Sequence, residues 1–339
     1  MNDYSTLDQI LHRLVLEPKS VAELLFDIER ALFRGAALRR DAVYVTGLAR
    51  CGSTSLLRSL HCSGIFASLT YSDMPFVIAP NLWQLMSKAR DDKTGGRERP
   101  HGDGIFENRD SPEGLEEVFW RMELGAVYIK KNGLLVHDVP AETVSRLKIY
   151  QSLICSRYGS LRYLAKNNNL LLRLRSLAPQ TPDSCYLVLF RAPLAHAGSL
   201  LRQHKRFSAA SGFTQNYMRW LVHHEFGAGH RPFMFSDVSP TTLSPDVIDY
   251  WLERWIDAYS FLRNLFRQNP LNTVPVHYER VCDDEFYRKK IFARVGIKSK
   301  DATFENRNKT VEGASQSLVK RANNIYSELC ALADTNSRR

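Results

Sequence analysis

Leu7, Ile10, Leu11, Leu14 and Val15 recur at the three-and-four spacing of one helical face, so the chain opens with an amphipathic helix. Leu24, Leu25, Ile28 and Leu32 form a second stripe, and Ser20 with Glu23 three residues on makes a capping box at its start. The pattern then changes period. "DAVYVTGL" (41–48) is short, β-rich and almost wholly apolar, as is "CYLVLF" (185–190). Runs of that kind fit strands covered on both faces. "SPEGLEEVFWRM" (111–122) predicts a helix with Ser111 as cap and Pro112 in the first turn. "RAPLAHAGSLLRQHKRF" (191–207) reads as a turn running into a helix, "YWLERWIDAYSFLRNLF" (250–266) as a helix, "TVPVHY" (273–278) as a strand and 317–332 as a last helix. Residues 91–104 and 226–247, rich in Gly, Pro, Ser and charge, predict exposed loops.

Strands alternating with helices imply an α/β protein, a three-layer parallel sheet flanked by helices. Ligands of such sheets bind at the carboxyl ends of the strands, where residues 47–54 and 191–193 would converge. Three parts are expected: N-terminal helices over 1–40, a main domain over 41–300, and a C-terminal loop and helix over 301–339. The stripe Trp251, Trp255, Tyr259 has helical spacing and reads as core.

Composition changes this picture little. With 44% hydrophobic and 24% charged residues in 339, the chain is of ordinary globular type. The first twenty residues carry acids and no continuous apolar stretch, and no long uncharged apolar run follows. Neither a secretory signal nor a membrane span is therefore expected. The six cysteines (51, 62, 155, 185, 282, 330) show no metal-type spacing and suit a reducing cytoplasm, the expected location. Lys and Arg exceed Asp and Glu by 46 − 36 = 10, which favours an anionic partner. No dense basic tract or aromatic recognition motif points to nucleic acid.

The candidate chemistry lies in two strand–turn–helix units. "GLARCGSTS" (47–55) nearly fits the phosphate-cradling pattern G-x-x-x-x-G-K-[ST], but Ser53 stands where the lysine belongs. Gly47 and Gly52 permit a tight turn, the amides of 51–55 open a helix whose positive end attracts an oxyanion, and Ser53, Thr54 and Ser55 add hydroxyls. Arg50 adds a planar cation suited to phosphate or sulfate. In the second unit, Arg191 follows a buried strand and Ser199 lies eight residues on, a pair able to grip a separate phosphate.

Here the sequence resembles the sulfotransferases that use 3′-phosphoadenosine 5′-phosphosulfate (PAPS). "RCGST" (50–54) matches their 5′-phosphosulfate loop, with Cys51 departing at a usual serine, and "RAPLAHAGS" (191–199) matches their 3′-phosphate motif, with Ala192 where Asp is more usual. "RYLAKNNNLLLRLRSL" precedes the Arg191 strand as a lysine-bearing segment does in the protein-tyrosine members, and "VPVHYERV" resembles a late strand end, with Tyr278 and Glu279 matching. The likeness spans about 41 to 297.

The resemblance implies a P-loop NTPase-like sulfotransferase fold with its main domain at 41–300. It further implies transfer of a sulfuryl group from PAPS to a hydroxyl or amine acceptor, without a metal. Arg50, Cys51, Gly52, Ser53, Thr54, Ser55, Arg191 and Ser199 would bind the donor. Arg50 and Lys166 would stabilise the transferring group, and Asp73, 23 residues after Arg50, would be the base. His101 and Asp103 are the next candidates for that role, while His196, His204, His223 and His224 are assigned none. The acceptor pocket is expected from residues 71–120 and 213–247. The competing readings are a P-loop kinase using ATP and magnesium, and a basic anion- or nucleic-acid-binding module whose footprint is "RQHKR" (202–206).

Overall fold

The computed structural model describes residues 6–38, 42–87, 97–98, 106–107, 110–160, 162–235, 242–268, 272–297, 304–309 and 311–336. Its strands in chain order are β1 (Val43–Thr46), β2 (Arg97–Glu98), β3 (Phe106–Glu107), β4 (Ile129–Lys130), β5 (Gly133–Leu135), β6 (Leu164–Lys166), β7 (Cys185–Phe190), β8 (Phe233–Met234) and β9 (Thr273–His277). The central sheet is parallel, in the order β6-β1-β7-β9, with Val45 opposite both Lys166 and Leu187, and Phe190 opposite His277. β2 pairs with β3, and β4, β5 and β8 form a small separate sheet.

Alternate residues of the central strands serve two different cores, as the period of two requires. Val43, Val45, Leu187, Leu189 and Val276 face one side, packed with Leu56, Leu57 and Leu60 of α3 (Ser53–His61). Tyr44, Tyr186, Val188 and Phe190 face the other, within the larger core. The Tyr44 and Tyr186 rings stack there at 5.0 Å. Every residue of β1, and all of β7 but Cys185, is buried, which is why these two strands read as near-continuous apolar runs.

Around the sheet lie α1 (Thr6–Leu16), α2 (Lys19–Leu32), α4 (Pro80–Ser87), α5 (Glu117–Tyr128), α6 (Ala141–Tyr158), α7 (Leu174–Gln180), α8 (Pro193–Ser208), α9 (Gly212–Trp220), α10 (Ile248–Arg267), α11 (Tyr278–Asp283), α12 (Glu285–Arg294) and α13 (Gln316–Asn336). Among the described residues no helix is long and apolar enough to cross a membrane. The stripe Trp251, Trp255, Tyr259 of α10 is core, each residue no more than 3% exposed.

Two predicted helix starts shift. The first turn of α2 begins at Lys19 after an extended Pro18, and no side chain caps it; Ser20 falls inside the turn, and Glu23 pairs with Lys19 at 3.2 Å. The helix predicted from Ser111 begins only at Glu117. Pro112 forms an antiparallel bridge to Thr70, and the Glu113 amide donates to the Leu69 carbonyl at 3.2 Å, so backbone pairing draws this stretch out of the helix. The loop predicted over 226–247 carries β8, and most of the one at 91–104 lies outside the described residues.

Because β1 lies between β6 and β7, the chain runs to one side of β1 and then crosses to the other. That reversal opens a crevice at the carboxyl ends of these three strands.

Candidate functional site

The crevice is floored by the loop after β1. Gly47 (φ +146°) and Gly52 (φ +95°) adopt backbone conformations that other residues avoid. A Cβ at Gly47 would come 2.6 Å from the Leu189 carbonyl oxygen, and one at Gly52 2.5 Å from the Tyr278 ring. Both positions therefore need glycine for space as well as for angle. Arg50 between them is also left-handed (φ +70°), a strain that surrounding contacts must hold.

One holder is His196 of α8. It is wholly buried, and its Nε2–H donates to the Ala49 carbonyl at 2.7 Å. Burial, then the nearby Arg191 cation, pushes its pKa down to about 3, so the ring is neutral. The other holder is Arg191, which follows β7 at 5% exposure. Its guanidinium donates to the Arg50 carbonyl (3.0 Å), to Asn308 Oδ1 (2.7 Å) and to the Arg307 carbonyl (2.7 Å), and it lies over the Tyr278 ring at 4.7 Å.

The two phosphate-type motifs thus meet in space, and Arg50 Nε also donates to Ser199 Oγ at 3.4 Å. Glu279 knits in further segments: it accepts from the Ala192 amide (2.9 Å), Asn308 Nδ2 (2.8 Å) and the Tyr326 hydroxyl (3.1 Å). Burial would raise its pKa, but these donors and His277 hold it at about 2.

α3 opens at Ser53, its first internal bond running from the Leu56 amide to the Gly52 carbonyl at 3.2 Å. The amides before Leu56 lie outside that ladder and mark the positive end of the helix. Cys51 differs from the expectation for the loop. Its amide donates to the Leu48 carbonyl at 3.2 Å, its side chain is wholly buried in the core beneath, and burial raises its thiol pKa.

Lys166 ends β6, directly beside β1, at 8% exposure. Its ammonium lies 3.5 Å from Glu113 Oε1. Glu113 also accepts from the Gly114 amide (3.1 Å) and the Tyr71 hydroxyl (3.4 Å).

Behind Lys166, Asn167 is fixed by a buried network. Its Nδ2 donates to Glu117 Oε2 at 2.6 Å, and Glu117 takes two bonds, at 2.7 and 3.0 Å, from the wholly buried Arg173. Arg173 lies over the Trp120 ring at 4.5 Å and donates to His137 Nε2 at 3.3 Å. Burial opposes ionisation of Glu117, but Arg173 holds its pKa below the usual value.

Beside Lys166, Gly114, Glu117, the Asn167–Asn169 turn, His223 and Glu225 line a narrow cleft with no interior room for a water molecule.

No family model matches the chain, and no curated protein matches it. Solved structures do. Sulfotransferase STF1 from Mycobacterium tuberculosis H37Rv superposes with a TM-score of 0.50 at 13% identity, covering 88% of this chain and 79% of its own. The fold is that of a sulfotransferase. Two further sulfotransferases align at lower TM-scores. STF9 from Mycobacterium avium does so at 0.48, with 12% identity over 96% of this chain and 78% of its own. That of Alicyclobacillus acidocaldarius does so at 0.41, with 14% identity over 89% and 100%.

Within this sulfotransferase fold, Arg50, Gly52, Ser53, Thr54, Ser55, Lys166, Arg191 and Ser199 gather at the switch-point crevice. Asp73 lies apart from these, sealed within the fold. It ends a short 3-10 turn (Tyr71–Asp73), is wholly buried, and accepts from the Thr70 amide (2.9 Å) and the Tyr158 hydroxyl (2.5 Å). Burial raises its pKa. A carboxylate sealed in this way caps a turn and offers no face to an acceptor. His101 and Asp103 lie outside the described residues.

The carboxylate beside Lys166 is Glu113, which the helical reading of 111–122 had hidden as a first-turn acid. Glu225 escaped the sequence reading, and His196, which that reading left without a functional role, serves structurally by holding the Ala49 carbonyl. A lone histidine or glutamate on a helix or loop carries no signal until its neighbours are known.

Proposed function

We propose that the protein transfers a sulfuryl group from PAPS to a hydroxyl acceptor. The observation that carries this reading is the contact between its two anion-type motifs, Arg50 with Ser199 at 3.4 Å and Arg191 with the Arg50 carbonyl at 3.0 Å, one strand away from Lys166. The residues present fit the donor: a helix start whose first amides lie outside the helical ladder, a loop that has no room for a Cβ at Gly52, and three cations around one crevice. Ser53, Thr54, Ser55 and Gly52 would hold the 5′-phosphate through helix-start amides and hydroxyls. Arg191 and Ser199 would hold the 3′-phosphate.

When bound, PAPS supplies a sulfuryl group whose bridging S–O bond breaks as the acceptor oxygen bonds to sulfur. The work left to this chain is positioning and charge stabilisation. Lys166 and Arg50 would neutralise charge growing on the departing phosphate oxygen. Glu113 would take the acceptor proton, in place of Asp73. Its ion pair with Lys166 keeps base and cation within one hydrogen-bond length of each other, as a concerted step requires.

Calorimetric titration tests this. In buffer with EDTA, 3′-phosphoadenosine 5′-phosphate is expected to bind, and 5′-AMP and ATP to bind at least tenfold more weakly. Equal or tighter binding of ATP would overturn the reading in favour of a kinase.

A further inference from the structure

Lys166 is not the only side chain that reaches Glu113. Residues 69–71 and 111–113 run antiparallel beside each other: Pro112 bridges Thr70, the Glu113 amide donates to the Leu69 carbonyl at 3.2 Å, and the Tyr71 amide donates to the Ser111 carbonyl at 3.4 Å. In that register Tyr71 lies opposite Ser111, so Glu113, two residues on, is its diagonal neighbour on the same face. Diagonal neighbours start roughly 7–8 Å apart, a gap that an aromatic and a long side chain close between them. Here they do so: the Tyr71 hydroxyl donates to Glu113 Oε2 at 3.4 Å.

The turn that carries Tyr71 is anchored from several sides. Thr70 and Asp73 cap it reciprocally, and the Trp83 Nε1–H donates to the Ser72 carbonyl at 2.9 Å. The Tyr158 hydroxyl donates to Asp73 at 2.5 Å from behind. Together with the backbone pairing to 111–113, these bonds fix the base of the Tyr71 side chain.

The two oxygens of Glu113 thus have different donors. Oε1 takes the Lys166 ammonium (3.5 Å) and the Gly114 amide (3.1 Å), while Oε2 takes Tyr71. The last torsion of a glutamate is broad, and a donor on each oxygen narrows it. Contacts of this length are common before substrate tightens a site. We propose that Tyr71 is a positioning residue for Glu113, holding the carboxylate plane in which it receives the acceptor's proton. This rests on the sulfotransfer reading above. In that step the acceptor oxygen bonds to sulfur and its proton passes to Glu113. The electron pair of the breaking S–O bond stays on the departing phosphate oxygen, and Tyr71 gains and loses nothing.

The test reads the carboxylate itself. Protein labelled with carbon-13 at its glutamate carboxyls is titrated by NMR, the Glu113 signal being the one lost in Glu113→Gln. A hydroxyl that donates to the ionised form favours that form, so Tyr71→Phe should raise the pH at which Glu113 titrates by about 0.5 or more. Lys166 and the other charged groups lining its cleft, Glu117, His223 and Glu225, stay in place. Glu113 acts when ionised, so the acid limb of kcat for PAPS turnover, with water or ethanol as acceptor, should move to higher pH by the same amount. On the plateau kcat should fall about fivefold through looser positioning, with 3′-phosphoadenosine 5′-phosphate affinity and thermal midpoint unchanged.

A Glu113 titration that does not move in Tyr71→Phe overturns the inference, and so does an unmoved pH profile. The same holds if Tyr71→Phe matches the wild type and only Tyr71→Leu is impaired, since the ring's packing and not its hydroxyl would then matter. Failure of the sulfotransfer reading looks different: the wild-type protein then fails to bind the bisphosphate, while the carboxyl titration still reports whether Tyr71 holds Glu113.

Discussion

At the scale of single residues, the site separates groups with an open face from groups with none. Lys166 and Glu113 are each 8% exposed, whereas Asp73 is sealed against α6. Lys166→Ala is expected to cut kcat about 10²-fold or more, the usual loss for one oxyanion-stabilising cation, with bisphosphate affinity within twofold. Glu113→Gln should lower kcat by about 10²-fold as the base is lost. Asp73→Asn should instead lower the unfolding free energy read by urea titration by about 1–3 kcal/mol, since it disturbs bonds from Thr70 and Tyr158, without a selective loss of kcat. A kcat loss in Asp73→Asn that exceeds that of Glu113→Gln would restore the aspartate as base. None of this difference was legible beforehand, because Asp73 read as an acid near a turn and Glu113 as a first-turn helix acid, and only their neighbours, Tyr158 for one and Lys166 for the other, distinguish them.

At the scale of elements, the loop between β1 and α3 is held from behind rather than by its own bonds. His196 of α8 grips Ala49, Arg191 after β7 grips Arg50, and Tyr278 of α11 closes the space over Gly52. Gly52→Ala should therefore abolish bisphosphate binding and cost more than about 1 kcal/mol of stability, both from its φ and from the ring it would meet. Binding that survives this substitution would show that the loop tolerates displacement. Val222→Gly would relieve the left-handed strain and is expected to raise thermal stability by up to about 1 kcal/mol, read by scanning calorimetry, while loosening the turn that carries Glu225.

At the scale of the whole molecule, acid stability follows from histidines buried without charge. Burial, first among the causes, lowers His196 to about 3 and His137, His224 and His230 to about 4. Their ordinary value is about 6.5, so between that pH and 4 the unfolded chain binds more protons than the folded one. Their contribution is complete above pH 6.5 and is lost as pH falls toward 4. Asp73, Glu29 and Glu116, whose values burial raises, work in the opposite sense from their ordinary carboxylate range upward. Four histidines outweigh them, so the urea midpoint should fall from pH 7 to pH 5. His196→Gln, which retains a donor for the Ala49 carbonyl, should flatten that fall; an unchanged slope would count against this account.

The sequence by itself determined the α/β alternation, the strands at 43–46, 185–190 and 273–277, and the pairing of an Arg50 loop with an Arg191–Ser199 unit. Each of these is local: a run of apolar residues, a glycine spacing, a fixed interval. Only the tertiary structure decided which acid stands beside Lys166, that Ser111 and Pro112 pair with the backbone at Thr70 instead of opening a helix, and that Arg191 clasps Arg50 and the segment 304–309. It alone also set Asn168 against Glu225 and fastened Asn169 to the Val222 carbonyl. The reason is common to all of these. Burial, hydrogen-bond partners and charge environment arise from residues far apart in the chain, and strand order, which no local pattern encodes, is what brings them together.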